Sequence, residues 1–379
     1  MNKTDKTVVS APGRICLFGE HQDYLGLPVI AMATNLRIKI SGIPRNDDIF
    51  RIKMPNIKDQ DEFCFRQEIK YIRERDYLRS CVNVLKRQGV KFPRGYNCIL
   101  RGKIPIGAGV SSSSALCVAW VKFLLTIASN PLKDNPAEIA HLAYEAEVLE
   151  FTEPGGMMDH FTSSIGSLLF IEPAPPPACP QGKPNRFTTN NNRIPRITKL
   201  PAKFSGFVLG DSAQSKSTKN ILSRIKNGIF EAVRIISSQR SDFRLQSAKL
   251  QDGKNLPADL KLLFEGTIIN RDLTQQAKNI LSQPDINPII FGKLLNKHHQ
   301  ILRDYLNIST AKIEKMLGAA AKAGALGGKI NGSGGGGCIT VYAPDKTHEV
   351  ACAIEKAGGK SYIVKVTKGV KEEPFNKST

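Results

Sequence analysis

The chain has 379 residues, of which 41% are hydrophobic and 23% charged, the composition of a globular protein that builds its own core. That length exceeds one typical hydrophobic core, so we expect two domains, with a boundary near residue 200. The formal net charge of +20 favours polyanions or anionic substrates as partners. The basic residues are spread along the chain without a nucleic-acid-binding motif, however, so nucleic acid is not expected as a partner.

The sequence also argues against a membrane protein and against a structural zinc site. Its longest apolar run, residues 117–128, contains Lys122 and is too short to span a bilayer, and residues 1–7 lack the apolar segment of a signal peptide. The eight cysteines include no Cys-x-x-Cys pair, and the six histidines have no metal-binding spacing. We therefore expect a cytoplasmic protein with reduced thiols and no membrane partner; its oligomeric state is left open.

A strand is expected at residues 7–10, and the first motif follows it. This strand continues into the segment APGRICLFGEHQDY at residues 11–24. A solvated loop would account for the charges there, but a Glu-His-x-Asp turn also suits a site for several sugar hydroxyls, because each carboxylate accepts two or more hydrogen bonds. The polar side chains that crowd this turn are Arg14, Glu20, His21, Asp23 and Tyr24.

Hydrophobic patterns predict the elements between this motif and the next one. Strands are expected at residues 29–43 and 49–54, a helix within residues 67–89 and a strand at residues 97–100. The last of these strands leads directly into a loop rich in glycine and serine.

This loop, KIPIGAGVSSSSAL at residues 103–116, is the segment around which the chain is organised. Gly107 and Gly109 permit positive φ angles and close approach of a bound group. A helix is expected from residue 111 to residue 128, and anions bind at such helix starts because the first turn has unpaired N–H groups and partial positive charge. A glycine turn with a serine N-cap is the plainer alternative, but four consecutive serines favour a phosphate-binding loop.

Two better-known phosphate-binding motifs are excluded. Gly102-Lys103 is followed by Ile104, where a P-loop requires Ser or Thr. Residues 332–337 match the Gly-x-Gly-x-x-Gly pattern, but residues 338–342 after them have the pattern of a strand, whereas a Rossmann turn opens a helix.

A helix at residues 136–150 and a turn at residues 152–161 complete the predicted first domain. Asn135 is a suitable N-cap for that helix, because proline follows it at the first helical position. The turn, TEPGGMMDHF, has its carboxylate Asp159 in apolar surroundings, where it either caps the next helix or has a chemical role. A strand is expected at residues 165–171, followed by a Pro- and Asn-rich surface insertion near residues 173–193.

The second half of the chain is expected to form the other domain, residues 201–379. Its glycine-rich segment at residues 327–338 joins two predicted strands, and so many glycines indicate close approach of the backbone to another backbone or to a ligand. The tail from residue 368 is expected to be disordered. The other predicted elements are a strand at 204–210, a helix at 217–238, a mostly helical stretch at 257–309, a helix that ends at 324, a helix at 346–357 and a strand at 360–367.

Three of these segments, in this order and at these separations, resemble the motifs of the GHMP kinase superfamily, which comprises galactokinase, homoserine kinase, mevalonate kinase and phosphomevalonate kinase. Residues 12–24 are similar to the galactokinase signature, residues 106–113 to the ATP loop and residues 328–338 to the third motif. The resemblance is closest to galactokinase. It implies an α+β fold with an N-terminal domain like ribosomal-protein S5 domain 2, at residues 1–200, and a C-terminal ferredoxin-like domain, with the active site between them.

The resemblance also implies roles for individual residues. Asp159 looks like the base and Arg14 like the cation beside it. Ser113 and Glu147 look like the Mg²⁺ ligands, which agrees with the preference of Mg²⁺ for one or two protein oxygens plus water and nucleotide phosphates. The implied sugar contacts are Glu20, His21, Asp23 and Gly156. The implied ATP contacts are Gly107, Ala108, Gly109, Val110, Ser111, Ser112, Ser113 and Ser114.

The implied activity is phosphorylation of a monosaccharide by ATP, with the sugar 1-phosphate as product. Three departures from galactokinase leave the sugar open: His160 replaces Gln, Cys16 replaces Asn, and residues 212–222 lack a Tyr. A kinase of another acceptor, such as a heptose or mevalonate, is the first alternative. A sugar sensor without turnover is the second, and the retained Arg14 and Asp159 argue against it because a protein that only binds does not need a base.

Overall fold

A computed structural model describes residues 6–173, 194–215 and 217–374. Apart from Pro173, the predicted Pro- and Asn-rich insertion lies outside these ranges. The chain forms two β-sheets with helices packed against them. Within the described ranges, every helix is either too short or too polar to cross a membrane.

The first sheet is built almost entirely from strands that precede residue 200. Its order is β1–β2–β5–β3–β4, with β6 paired to β2 and β7 paired to β6. Strands β3 and β5 run parallel while their neighbours run antiparallel, so the sheet is mixed. The strands are β1 (Thr7–Phe18), β2 (Val29–Pro44), β3 (Ile49–Met54), β4 (Asp59–Cys64), β5 (Tyr96–Gly102), β6 (Leu168–Glu172) and β7 (Arg196–Lys199).

Helix α2 is the central element packed against this sheet. It is buried on nearly every side, and its Trp120 and Phe123 rings stack with centroids 5.3 Å apart. A helix that is apolar all round must lie inside a core, so this helix holds its N-terminus, next to the glycine loop, in a rigid place. The helices of this half are α1 (Tyr77–Arg87), α2 (Ser112–Ile127), α3 (Pro136–Tyr144) and α4 (Met158–Ile165).

Two of these helices differ from the sequence prediction for identifiable reasons. Helix α1 begins ten residues after the predicted start, because Asn83 exchanges hydrogen bonds of 3.0 and 2.7 Å with the backbone of Ile69 and holds the preceding segment as a loop. Helix α3 ends at Tyr144 and continues as a π-helical turn, Glu145–Leu149. π-Helical turns are rare and occur frequently at functional sites.

The second sheet has four antiparallel strands in the order β11–β8–β10–β9. Helices α8 and α9 pack on it, and α7 packs against β9. The α+β fold class is confirmed; a domain boundary near residue 200 stays a prediction, although the first sheet's β7 ends at Lys199 and β8 begins at Phe207. The elements are β8 (Phe207–Asp211), α5 (Thr218–Gln239), α6 (Ala258–Leu281), α7 (Pro288–Asp304), α8 (Ala311–Lys322), β9 (Gly327–Asn331), β10 (Cys338–Tyr342), α9 (Thr347–Lys356) and β11 (Lys360–Val364).

The expectation of a disordered tail from residue 368 is wrong as far as residue 374. Strand β12 (Lys371–Glu372) returns to the first sheet and pairs with β1. Arg37 donates hydrogen bonds to the carbonyl oxygens of Lys368 and Gly369, at 2.9 and 2.7 Å. The segment is short and polar and its partners in β1 and at Arg37 lie more than 300 residues away, so local patterning does not reveal it.

Candidate active site

The three glycine-containing motifs meet around one cavity of about 360 Å³. Residues of the β1 turn, the glycine–serine loop, the π-helical turn, the start of α4 and the glycine run all line it. Ala108 and Val110, which were predicted as nucleotide contacts, are buried and do not line it. The predicted site residues that do line it are Arg14, Glu20, His21, Asp23, Gly107, Gly109, Ser111, Ser112, Ser113, Ser114, Glu147, Gly156 and Asp159.

The glycine–serine loop has the backbone geometry expected of an anion cradle. Gly107 and Gly109 have φ angles of 68° and 84°, and Ser111 also lies in the left-handed region with φ of 60°. Non-glycine residues rarely adopt this conformation, and such strained positions cluster at functional sites. The Ser111 side chain makes no capping hydrogen bond to α2, so the N–H groups of the first turn lack that partner, and Ser111, Ser112, Ser113 and Ser114 line the cavity beside them.

The carbonyl oxygen of Gly109 is the point at which the motifs are tied together. It accepts a hydrogen bond of 2.6 Å from Arg14 Nη1 and one of 2.7 Å from Asn331 Nδ2. A Cβ atom on Gly332 would lie 2.7 Å from the same oxygen. The predicted close approach of backbone to backbone at the glycine run is therefore confirmed, and it fixes the third motif against the loop.

Arg14 and Asp159 form a buried ion pair beside this junction. Arg14 Nε and Nη2 each lie 2.7 Å from Asp159 Oδ1, and the side chains are 5% and 26% exposed. Burial is the largest influence on the pKa of Asp159 and raises it, but the charge of Arg14, together with smaller contributions from Ser111 and His160, outweighs burial and holds that pKa below its ordinary value. Asp159 is thus ionised at neutral pH, and Oδ2 is the oxygen not engaged by Arg14.

Asp23 lines the same cavity and is held by backbone groups. Its Oδ1 accepts a hydrogen bond from Tyr24 N at 2.9 Å, and its Oδ2 accepts one from Met158 N at 3.0 Å. Burial raises the pKa of Asp23, and these two N–H groups oppose that shift. A Cβ atom on Gly156 would overlap Asp23 Oδ2, so only glycine fits beside the carboxylate.

His21 also lines the cavity. Its backbone is left-handed, with φ of 63°. Its Nδ1 lies 2.7 Å from Tyr24 Oη and its Nε2 lies 3.1 Å from the carbonyl oxygen of Ser333. The imidazole therefore joins the first motif to the third.

Glu20, by contrast, is engaged within the protein. Its Oε2 lies 2.7 Å from Lys329 Nζ and its Oε1 accepts a hydrogen bond from Gly332 N. Glu20 is 1% exposed and Lys329 is fully buried. Lys329 was not predicted as a site residue, because it stands in a glycine-rich segment and its partner carboxylate lies 309 residues away.

Glu147 and His160 form a second buried pair. The π-helical turn directs Glu147 inward, where its Oε2 lies 2.6 Å from His160 Nε2. The His160 ring packs edge-on to Tyr144, and its Nδ1 makes no hydrogen bond within the described residues. His160, noted above as a departure from galactokinase, therefore orients the predicted metal ligand.

Some lining residues were not among the predicted site residues. Thr218 and Leu222 of α5 face the cavity, as do Arg75 and Tyr77 at the start of α1. Arg75 is paired in two hydrogen bonds, of 2.9 and 3.0 Å, with Glu153. Nothing in the local sequence marks these residues, since only the fold brings them to the cavity.

Three family profiles match the chain. The galactokinase galactose-binding signature matches residues 1–42, the GHMP kinases N terminal domain matches residues 76–167, and the GHMP kinases C terminal domain matches residues 281–360. The matched segments include the β1 turn, the glycine–serine loop and the glycine run that surround the cavity.

Similarity to known proteins extends over nearly the whole chain. A mevalonate kinase of Thermococcus gammatolerans is 30% identical over 375 residues, which cover 96% of this chain and 97% of its own. A galactokinase of Mannheimia succiniciproducens is 26% identical over 358 residues, with coverage of 92% and 88%. The fold is similar to that of Lactococcus lactis galactokinase complexed with galactose, with a TM-score of 0.81 at 19% identity and coverage of 98% and 96%. From these profiles and relatives together, the chain belongs to the GHMP kinase superfamily, a family of phosphotransferases, and has galactokinase-like features.

Proposed function

We propose that the protein is an ATP- and Mg²⁺-dependent kinase of a monosaccharide that phosphorylates the anomeric hydroxyl and releases the sugar 1-phosphate and ADP. One observation carries this proposal. Asp23, in the segment that matches the galactose-binding signature, shares a cavity with the ionised Asp159–Arg14 pair. A polyol held at Asp23 therefore lies beside a group able to accept a hydroxyl proton.

The nucleotide is assigned to the end of the cavity formed by the glycine–serine loop. Its phosphates meet the first-turn N–H groups of α2 and the hydroxyls of the serines there. Phosphoryl transfer needs little covalent chemistry from the protein, so catalysis depends on position and on stabilisation of charge. Arg14 is suited to the second task because its guanidinium is fixed by Gly109 and Asp159 at the boundary between the two substrates.

The acceptor is assigned to the end formed by Asp23, His21 and Gly156. Asp159 Oδ2 accepts or orients the proton of the hydroxyl that is phosphorylated, and Arg14 keeps the carboxylate charged for that purpose. Asp23 remains free to accept further hydrogen bonds from neighbouring hydroxyls, because each carboxylate oxygen has a second lone pair. Galactose is the first candidate among neutral sugars because the β1 turn matches a galactose-binding signature.

The residues present fit a magnesium ion brought by the nucleotide. Glu147 has its Oε1 outside the contact with His160, and Ser113 lines the same cavity. Within the described ranges, no group of three or more His, Cys, Asp or Glu side chains could hold a metal by itself. That is the expected arrangement for Mg²⁺, which takes one or two protein oxygens and relies on phosphate and water for the rest. When bound, the ion would neutralise charge on the phosphates.

Replacing His160 with Ala is expected to weaken Mg²⁺ binding by about 10- to 100-fold, because the side chain orients Glu147 and residues behind a metal ligand typically have effects of that size. His160→Gln should retain most of the affinity, since its amide can donate the same hydrogen bond. The measurement is calorimetric titration of Mg²⁺ into protein saturated with ADP, with the Mg²⁺ dependence of turnover as a second readout. Equal Mg²⁺ affinity in the wild type and His160→Ala would contradict the metal assignment.

A mevalonate kinase is the second candidate, favoured by the 30% identity to the Thermococcus gammatolerans enzyme. The galactose-binding signature and the Asp23–Gly156 contact favour a sugar instead. A sugar sensor without turnover would have no use for the Asp159–Arg14 pair.

The decisive experiment is a turnover assay with Mg·ATP across galactose, glucose, other aldohexoses, a heptose and mevalonate. We expect turnover of a sugar and formation of its 1-phosphate, identified by ³¹P NMR. Removal of a charged partner for buried hydroxyls typically costs about 1.5–3 kcal/mol, so Asp23→Ala should raise the KM for the preferred sugar by about 10- to 100-fold. Turnover of mevalonate alone would overturn the sugar proposal, and equal use of galactose and glucose would overturn the preference for galactose.

A further inference from the structure

Lys226 of α5 lies close to residues that line the cavity, although it is not itself a lining residue. Thr218 and Leu222 line the cavity, and Lys226 follows them one turn later on the same helix face, because residues four apart are neighbours on a helix. Lys226 Nζ lies 3.4 Å from the carbonyl oxygen of Pro154 and 5.8 Å from the centre of the Tyr24 ring. Both neighbours adjoin residues that hold the acceptor, since Tyr24 follows Asp23 and Pro154 precedes Gly155 and Gly156.

Lys226 has aromatic neighbours but forms no direct salt bridge: its Nζ lies 6.0 Å from the centre of the Phe230 ring as well as near the Tyr24 ring. Arg14, Lys329 and Arg75 each have a carboxylate partner at this site. Across residues 6–173, 194–215 and 217–374, no carboxylate lies within ion-pair distance of Lys226, although the side chain is half-buried. Burial lowers the pKa of Lys226, and the field of Asp23 partly opposes that shift. A half-buried ammonium with one long contact to a carbonyl group has unused hydrogen-bond donors.

Asp23 acts on Lys226 through its field but forms no direct salt bridge with it within the described residues. Both oxygens of Asp23 already accept hydrogen bonds from backbone N–H groups, at 2.9 and 3.0 Å. The neighbours of Lys226 Nζ are instead the Pro154 carbonyl oxygen and the Tyr24 ring, and Tyr24 lines the cavity.

We propose that Lys226 binds an anionic group of the acceptor, so that the preferred substrate is an acidic sugar rather than a neutral hexose. The inference rests on the proposed sugar kinase activity and specifies its substrate class. The anion is a carboxylate, as in a uronic acid, or a phosphate, as in a sugar phosphate. Either would supply the charge that Lys226 lacks, whereas a neutral sugar would leave the ammonium unmatched.

The test compares kcat/KM for galactose, galacturonic acid and galactose 6-phosphate, which have the same ring configuration and differ at C6. We expect one of the two acids to exceed galactose by about 10-fold or more, the size of a charged hydrogen bond. Lys226→Met, which keeps the aliphatic stem, should remove this preference through KM, and Lys226→Arg should retain it. In Lys226→Met, calorimetric titration without ATP should show weaker binding of the preferred acid than in the wild type. The acid whose binding weakens identifies the anion as a carboxylate or a phosphate.

The matched control is Lys219→Met, which removes the same charge from an exposed position of α5 that faces Glu74 at 3.8 Å. It should leave the acid preference unchanged. A wild-type preference for galactose, or equal losses on galactose and the acids in Lys226→Met, would overturn the inference. Turnover of mevalonate with no turnover of any sugar would instead overturn the proposed function. The anion site would then be supported if Lys226→Met raises the KM for mevalonate, which carries a carboxylate, and contradicted if that KM is unchanged.

Discussion

Replacing Asp159 with Asn is expected to lower kcat by about 10²- to 10⁴-fold, the usual contribution of a positioned base. The amide cannot accept the hydroxyl proton, yet it has the size of the carboxylate and can keep one contact with Arg14. ATP affinity should change little, because the nucleotide is assigned to the glycine–serine loop. Single-turnover kinetics with the preferred sugar measure the chemical step, and equilibrium binding of Mg·ADP provides the control.

Two outcomes separate a base from a merely structural carboxylate. If Asp159 acts on the hydroxyl proton, kcat of Asp159→Asn falls while the sugar affinity of the folded variant stays close to that of the wild type, although its unfolding transition shifts because Arg14 loses its counter-charge. Near-normal turnover in this variant would remove the role of base, although membership of the GHMP kinases would be unaffected.

The pH dependence of kcat follows from the same ion pair. Because Arg14 holds the pKa of Asp159 below its ordinary value, the carboxylate stays ionised as the pH falls, and no loss of kcat from this group is expected above about pH 4. Loss of the cation in Arg14→Met would leave burial to raise that pKa. The acid limb of the kcat profile should therefore move to higher pH in Arg14→Met than in the wild type.

The parts of the site that depend on local chain chemistry could be predicted from the sequence. Positive φ angles at Gly107 and Gly109, the start of α2 among the serines and the close approach at Gly332 all follow from residue types within a few positions. The crowding of Asp23 and His21 in one turn is local as well. For these features, the residues that determine the backbone geometry are the same residues from which the sequence predicts it.

The parts that depend on long-range packing could not be predicted. Lys329 is 309 residues from its partner Glu20, and Lys226 comes near the Tyr24 ring only because the fold places α5 beside the β1 turn. The predicted role of Glu20 is affected most. The sequence analysis offered its carboxylate to sugar hydroxyls, whereas the structure shows both oxygens engaged by Lys329 and Gly332.

This buried pair leads to the second prediction with a large effect, on stability. Lys329→Met is expected to lower the free energy of unfolding by about 3–5 kcal/mol, because it leaves a buried carboxylate without its counter-charge. Lys329 Nζ also donates a hydrogen bond of 2.8 Å to the carbonyl oxygen of Cys16, so the loss affects the strand that contains Arg14. Urea unfolding monitored by circular dichroism measures the change.

The double variant Glu20→Gln/Lys329→Met tests whether the loss comes from the unpaired charge itself. Removing both members of a buried ion pair is often close to neutral, so the double variant should be markedly more stable than Lys329→Met alone. Lys346→Met is the matched control: its partner Glu349 lies 3.4 Å away on an exposed surface, where a pair contributes at most about 1 kcal/mol. Wild-type stability in Lys329→Met would mean that Glu20 does not depend on Lys329 and is available to the acceptor. The expected loss of stability would instead identify the Glu20–Lys329 pair as the link that holds the glycine run against the β1 turn. Asp23 and His21 would then be the side chains of that turn that contact the substrate.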